Sequence, residues 1–259
     1  MSDQPREVEG VLLVSADDQE AAGRRVAALA AVDRFELRAR PDQRIRDVYL
    51  DTGDGALAGA RVAFRVRELD GRPLLTLKAD PVRAGLAAER LELGAAWSAE
   101  TLQAMLAELR RRGIRLPDPP EGTGAGEPLA DLGRLGGLRP TQSRHTTRTA
   151  RDMLERDGVA GPVAELTVDD VAYQLPAGTA RLLEVEAKGS GGLEVVQTLL
   201  GALADRFPGD LRAWPYGKLA TGRAVEHLLA AGELDGLLDE AGRIRPAAHD
   251  RLAEVLAGN

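Results

Sequence analysis

The feature that most constrains this chain is a two-residue alternation of charge and hydrocarbon that recurs in six short segments. In REVEGVLLV, Glu7 and Glu9 share a face with Val11. In RVAFRVRE, Arg61, Arg65 and Arg67 face away from Val62, Phe64 and Val66. Thr76 and Lys78 oppose Leu75 and Leu77 in LLTLKAD, and Arg90 and Glu92 oppose Leu91 and Leu93 in ERLELG. Glu165, Thr167 and Asp169 oppose Leu166 and Val168; Glu184, Glu186 and Lys188 oppose Leu183, Val185 and Ala187. Side chains alternate across a strand, so each segment reads as a strand with one charged and one apolar face. Such strands suit an antiparallel sheet with its charged face in water. They also suit a sheet closed into a barrel with a charged interior, which is stable only where the charges pair or bind ions and ligands. The charged faces carry paired carboxylates on some strands and arginine clusters on others, and the pattern alone leaves both arrangements open.

Helical spacing marks fewer segments: Asp17 to Ala31, Ser98 to Arg112, Leu193 to Arg206, Lys218 to Ala231 and an acidic stretch from about Glu233 to Ala257. Ser98 followed by Glu100 is an N-cap signal, and Gly113 a C-terminal stop. Pro117 to Gly137 is rich in Pro and Gly and reads as a loop. The organisation expected is a single domain over residues 1–229 with that loop inside it, followed by a helical extension, 230–259, that acts as scaffold or partner surface.

Composition removes several function classes. The 259 residues contain no cysteine, so disulfide frameworks and thiolate metal sites are excluded, and three scattered histidines (His145, His227, His249) make poor zinc ligands. A net charge of −7 with 3% aromatic residues argues against nucleic acid as a partner. No apolar run points to a membrane. The polar start, Met1 to Glu9, carries no secretion or import signal, so a cytoplasmic location is expected. Of the 34 basic residues only Lys78, Lys188 and Lys218 are lysines. In an arginine-biased chain a remaining lysine marks either a position that needs a compact, mobile ammonium or chance retention, and composition alone leaves both open.

Taken together, these segments resemble the CYTH superfamily, the triphosphate tunnel metalloenzymes, over roughly Glu7 to Leu229. The matching pieces are Glu7 and Glu9 of the opening Glu-x-Glu-x-Lys signature, YLDT at Tyr49 to Thr52, FRVR with Arg65 and Arg67, and TLK with Lys78. ERLEL with Arg90 and Glu92, AELTVDD with Asp169, EVE with Glu184 and Glu186, and GKLATG with Lys218 follow in order. The resemblance implies an α+β fold: a closed antiparallel eight-stranded β-barrel with a charged interior and helices packed outside. It implies Mg²⁺ or Mn²⁺ held by Glu7, Glu9, Glu184 and Glu186, with Asp169 a further candidate. Phosphate contacts would come from Arg65, Arg67, Lys78, Arg90, Lys188 and Lys218, and on a looser local match from Arg144 and Arg148. Glu7, Glu9, Lys78 and Lys218 are the expected catalytic groups, Tyr49 reads as packing, and His145 as structural or exposed. The chain departs from the signature at Val11, where the family has lysine, and at Gly94, where many members have an acid.

The chemistry suits these residue types. Arginine forks and lysine point charges neutralise a polyphosphate, and Mg²⁺ favours a few carboxylates plus phosphate oxygens and water. Phosphoryl transfer needs chiefly in-line positioning and charge neutralisation. The expected function is metal-dependent hydrolysis of a linear triphosphate. The alternatives are a module that binds polyphosphate or nucleotides without cleaving them, motivated by Val11, and a class IV-like adenylate cyclase. The expected partner is a triphosphate-containing small molecule; a homodimer is left open.

Overall fold

The computed structural model describes residues 6–156, 161–189 and 192–258. Met1–Pro5 of the polar start lies outside them. In chain order the elements are β1 (Arg6–Val14), α1 (Gln19–Ala27), β2 (Ala31–Val32), β3 (Phe35–Ala39), β4 (Gln43–Asp51), α2 (Ala56–Gly59), β5 (Ala63–Leu69), β6 (Arg72–Ala84), β7 (Ala87–Ala96) and α3 (Ala99–Arg111). Then come α4 (Pro128–Leu135), β8 (Arg139–Glu155), β9 (Ala164–Leu175), β10 (Gly178–Gly189), α5 (Leu193–Arg206), β11 (Leu211–Ala213), α6 (Lys218–Ala230) and α7 (His249–Ala257).

The strands hydrogen-bond in the order β2-β3-β8-β4-β5-β6-β7-β1-β10-β9, and β8 pairs with β9 as well. The order from β8 to β9 therefore closes on itself: a closed antiparallel eight-stranded β-barrel of the α+β class. The charged strand faces are buried. Asp47 is 1%, Arg144 0%, Asp169 0% and Glu184 1% exposed, which excludes the solvated-sheet arrangement.

Local chemistry sets the elements. Asp70 and Gly71, both at positive φ (49° and 80°), form the two-residue turn between β5 and β6 that the Asp-Gly pair favours. Ser98 caps α3 by accepting from Thr101 N at 3.1 Å. Asp51 accepts from Leu57 N at 2.9 Å and Ala58 N at 3.2 Å and so caps α2. Some local expectations are corrected. The segment Pro117 to Gly137 contains α4, begun by Pro128 at a first-turn position. Of Glu233 to Ala257 only α7 is α-helical, because Gly232, Gly236 and Gly242 at φ of 72–74° break the stretch into turns. Arg61, at φ 56°, precedes β5 rather than sharing its charged face.

The chain divides into two compact units. The first is built mainly from Ile45–Pro81 and Arg90–Arg144; its core packs Leu50, Phe64, Leu75 and Leu77 with Leu102, Leu106 and Leu109 of α3. The second is built mainly from Glu7–Arg44, Val82–Glu89 and His145–Asn259. It has two apolar clusters. In one, Val8, Leu12 and Val185 meet α1 and α5. A Cβ at Gly10 would lie 2.4 Å from Leu200 Cδ1 and 2.5 Å from the Leu86 carbonyl oxygen, so only glycine permits this approach. In the other, Val11, Leu13 and Tyr173 meet Trp214, α6 and α7.

His249, at the start of α7, lies with Nδ1 3.0 Å from Ser15 Oγ at the end of β1. Burial, aided by the Arg212 charge, pushes its pKa down from 6.5 to about 4. The unfolded chain therefore binds this proton first as pH falls. The stabilisation is complete above pH 6.5 and is lost between there and about pH 4. Denaturant titrations over that range are expected to show the natural protein losing up to ~3 kcal/mol more than His249→Gln.

Candidate functional site

The first unit gathers a cluster of arginines. Asp47 and Tyr49 alternate on β4, and the register sets Asp47 against Arg67 and Tyr49 against Arg65 on β5. Arg67 donates to Asp47 twice, Nε to Oδ1 at 2.8 Å and Nη2 to Oδ2 at 2.9 Å. Arg144, from β8, donates to Asp47 Oδ2 at 3.1 Å, and Arg65 Nε lies 3.6 Å from Oδ1. Arg65 and Arg144 both donate to the Tyr49 hydroxyl. Three guanidiniums thus share one carboxylate. Burial pushes the Asp47 carboxyl up, but the charges of Arg65, Arg67 and Arg144 outweigh it and hold the group far below the usual carboxylate range. Beside them, Lys78 on β6 pairs with Glu92 on β7 at 2.8 Å, and Arg90 lies two residues before Glu92 on the same strand face.

The second unit gathers the acids. On β10 and β9, Glu184 faces Asp169 and Lys188 faces Glu165 in register. Lys218, the first residue of α6, brings its ammonium onto Glu186, Glu184 (3.0 Å) and Asp169 (3.2 Å). Arg148 on β8 clamps Asp169 with two bonds of 2.7 Å and lies 3.5 Å from both Glu186 and Glu165. Burial works against the Lys218 charge, yet Glu184, Glu186 and Asp169 raise its pKa well above the ordinary lysine value, so it stays an ammonium. The Glu184 carboxyl is pushed up by burial, although Lys218 opposes this. Lys188 lies 3.7 Å from Glu7 and 3.8 Å from Glu165. Glu9 is buried on the same face of β1 as Glu7.

Val11 is directly opposite Glu186 on β10. The ammonium beside Glu186 comes from Lys218 on α6, whereas Lys188 sits in register with Glu9. Val11 itself packs in the apolar cluster around Trp214, whose backbone N–H donates to the Val11 carbonyl at 2.9 Å.

The structure thus brings Arg65, Arg67 and Arg144 together in one unit, and Asp169, Glu184, Glu186, Arg148 and Lys218 in the other. Sequence reasoning passed over Asp47 and took Tyr49 for packing; the alternation Asp47, Tyr49, Asp51 in RDVYLD was the signal for both. It also left out Glu165, although it shares a strand face with Asp169. His145 is exposed.

A divalent ion needs oxygen ligands free to turn towards it. Asp169, Glu184 and Glu186 are oxygen donors, but the Lys218 ammonium already occupies the point they share, and Arg148 engages two of them. Among the described residues no group of three or more acidic or histidine side chains is arranged to hold a metal. The arrangement as it stands does not fit a divalent ion.

The CYTH-domain family model matches residues 13–199, well over half of the chain, and the chain belongs to the CYTH family. Among solved structures it is similar to a Hippeastrum protein, HpAC1, described as a proposed adenylyl cyclase with a dominant triphosphatase activity. That match has a TM-score of 0.54 at 18% identity and covers 85% of this chain and 96% of the other. A proposed adenylate cyclase of Bacillus halodurans matches at 18% identity with a TM-score of 0.46, covering 83% and 96%. A Pyrococcus horikoshii protein matches at 16% identity with a TM-score of 0.44, covering 87% and 99%. No curated protein sequence matches the chain. Among the described residues no helix is long and apolar enough to cross a membrane.

Proposed function

We propose that this protein hydrolyses a linear triphosphate, most simply inorganic triphosphate, releasing orthophosphate. The observation that carries the reading is the gathering of cations in the first unit: buried Arg65 and Arg144 and part-buried Arg67 all reach the carboxylate of Asp47. Positive charges clustered away from water are stabilised by an anion that pairs with them. Planar guanidiniums present paired donors to phosphate oxygens. In this reading Arg65, Arg67, Arg90 and Arg144 bind and orient the phosphates, and Lys78 adds a mobile charge when it leaves Glu92. Arg148, Lys188 and Lys218 belong to the proposed phosphate set as well. The reading includes Mg²⁺ or Mn²⁺, as membership of the family suggests, with Glu7, Glu9, Asp169, Glu184 and Glu186 as the acids proposed to hold it. That role requires the Lys218 ammonium to withdraw from the carboxylates it now bridges.

The test is phosphate release from tripolyphosphate with Mg²⁺ or Mn²⁺ across neutral and alkaline pH. Metal-dependent release is expected, and Glu186→Gln is expected to abolish it with the fold intact by circular dichroism. Absence of turnover at every pH would overturn the reading. A second reading, a module that binds triphosphates without cleaving them, is favoured by Lys218 sitting among the acids and by Val11 sitting in hydrocarbon. Calorimetric binding of tripolyphosphate without turnover would establish it.

A further inference from the structure

Tyr49 lies in the arginine cluster and has a hydrogen-bonding problem. Its hydroxyl oxygen accepts from Arg65 Nη1 at 2.9 Å and from Arg144 Nη2. The Arg144 guanidinium also stands over the phenol ring, its Cζ 4.4 Å from the centroid, with that of Arg65 at 5.7 Å. A neutral phenol has a hydrogen of its own to place, and arginine offers donors only. Asp47, two residues away on the same face of β4, turns its oxygens to Arg67 and Arg144. Both hydrogen bonds shown at this oxygen come from arginine donors, and Tyr49 is 4% exposed, which leaves little water to take the phenol hydrogen. A phenolate oxygen accepts from both guanidiniums and has no hydrogen left to place.

We propose that Tyr49 is a proton-exchanging member of the anion site: its hydroxyl ionises against Arg65 and Arg144 while the site is empty, and takes a proton from solvent when a phosphate-bearing ligand draws those guanidiniums onto its own oxygens. The ligand half of this rests on the reading that the arginine cluster binds phosphate. The charged groups facing Tyr49 are Asp47 on β4, Arg65 and Arg67 on β5, and Arg144 on β8. Burial pushes the phenol up, and Asp47 adds to that push. Arg144, Arg65 and Arg67 outweigh both and bring it below its ordinary value. Ionised Tyr49 also adds negative charge beside Arg65 and Arg144. A ligand that replaces it supplies that negative charge itself, so the proton returns at little electrostatic cost.

The test is a near-ultraviolet phenolate titration of the full chain, which has three tyrosines, beside Tyr49→Phe. The natural protein is expected to show one early transition that the variant lacks. Tripolyphosphate should suppress that transition at fixed pH. Calorimetry in two buffers of different ionisation heat should show proton uptake on binding, with affinity falling about tenfold per pH unit between the free and bound transitions. Should Tyr49→Phe not fold, carbon-13 shifts of tyrosine Cζ in the natural protein make the same assignment. Superimposable titrations with no early transition overturn the proposal, as does tripolyphosphate binding without proton uptake. An early Tyr49 transition with no tripolyphosphate binding supports the ionisation and overturns the phosphate reading instead.

Discussion

Asp47→Ala is expected to lose about 3–5 kcal/mol of folding stability, measured by denaturant unfolding, because it takes from buried Arg65 and Arg144 and part-buried Arg67 the carboxylate they share. The loss far exceeds that of an exposed pair such as Arg24–Glu20, which contributes about 0.5 kcal/mol or less. The pH dependence has a definite sign. Asp47 has a depressed pKa in the folded state, so its contribution is complete above the ordinary carboxylate range and disappears as pH falls below it. The difference between natural protein and Asp47→Asn is therefore expected to be constant near neutrality and to shrink in strong acid. If the cluster binds phosphate, tripolyphosphate should raise the melting temperature of Asp47→Ala by more than that of the natural protein. In the variant the ligand supplies the negative charge that the arginines have lost. Equal shifts would count against phosphate binding at these arginines.

Lys218→Met has an effect of similar size in the second unit. The methionine keeps the length of the side chain and removes the charge, leaving Asp169, Glu184 and Glu186 with Arg148 as the cation shown beside Asp169 and Glu186. A loss of about 3–5 kcal/mol is expected in the presence of a chelator. The variant also separates structural from metal-binding roles. With the ammonium gone, the carboxylates are open to a divalent ion, and an ion that binds only the folded state stabilises it by mass action. Mn²⁺ is expected to restore much of the lost melting temperature in Lys218→Met and to have a smaller effect on the natural protein. An unchanged melting temperature with and without Mn²⁺ would remove Asp169, Glu184 and Glu186 from the proposed metal set.

Much of the fold was legible because it is written at short range. The alternation of charge and hydrocarbon marked six of the charged strands, though not β4 or β8, Ser98 marked the start of α3, and helical spacing placed α5 and α6 closely. Where local signals competed, the reading slipped. Prolines and glycines on either side of α4 hid a short helix, and acidic helix formers between Gly232 and Gly242 suggested one that the left-handed glycines forbid. The short strands β2 and β3 lack any alternation long enough to see.

The candidate site divides in the same way. By itself the sequence determined which side chains share a strand face, since a strand places alternate residues on one side whatever it pairs with. That was enough to separate Glu184 and Glu186 from Leu183 and Val185, and Arg65 from Phe64. Only the tertiary structure decided which charges meet. Lys218 reaches Glu186 from a helix that follows in the chain, Arg148 reaches Asp169 from an earlier strand, and Asp47 meets Arg67 through the register of β4 and β5. These pairings depend on strand register and on where α6 docks. Apolar packing distributed over whole elements fixes both, and the signature around any one charge does not encode them. For that reason the motif lysines and carboxylates could be found in the sequence, while their pairing appeared only in the folded chain.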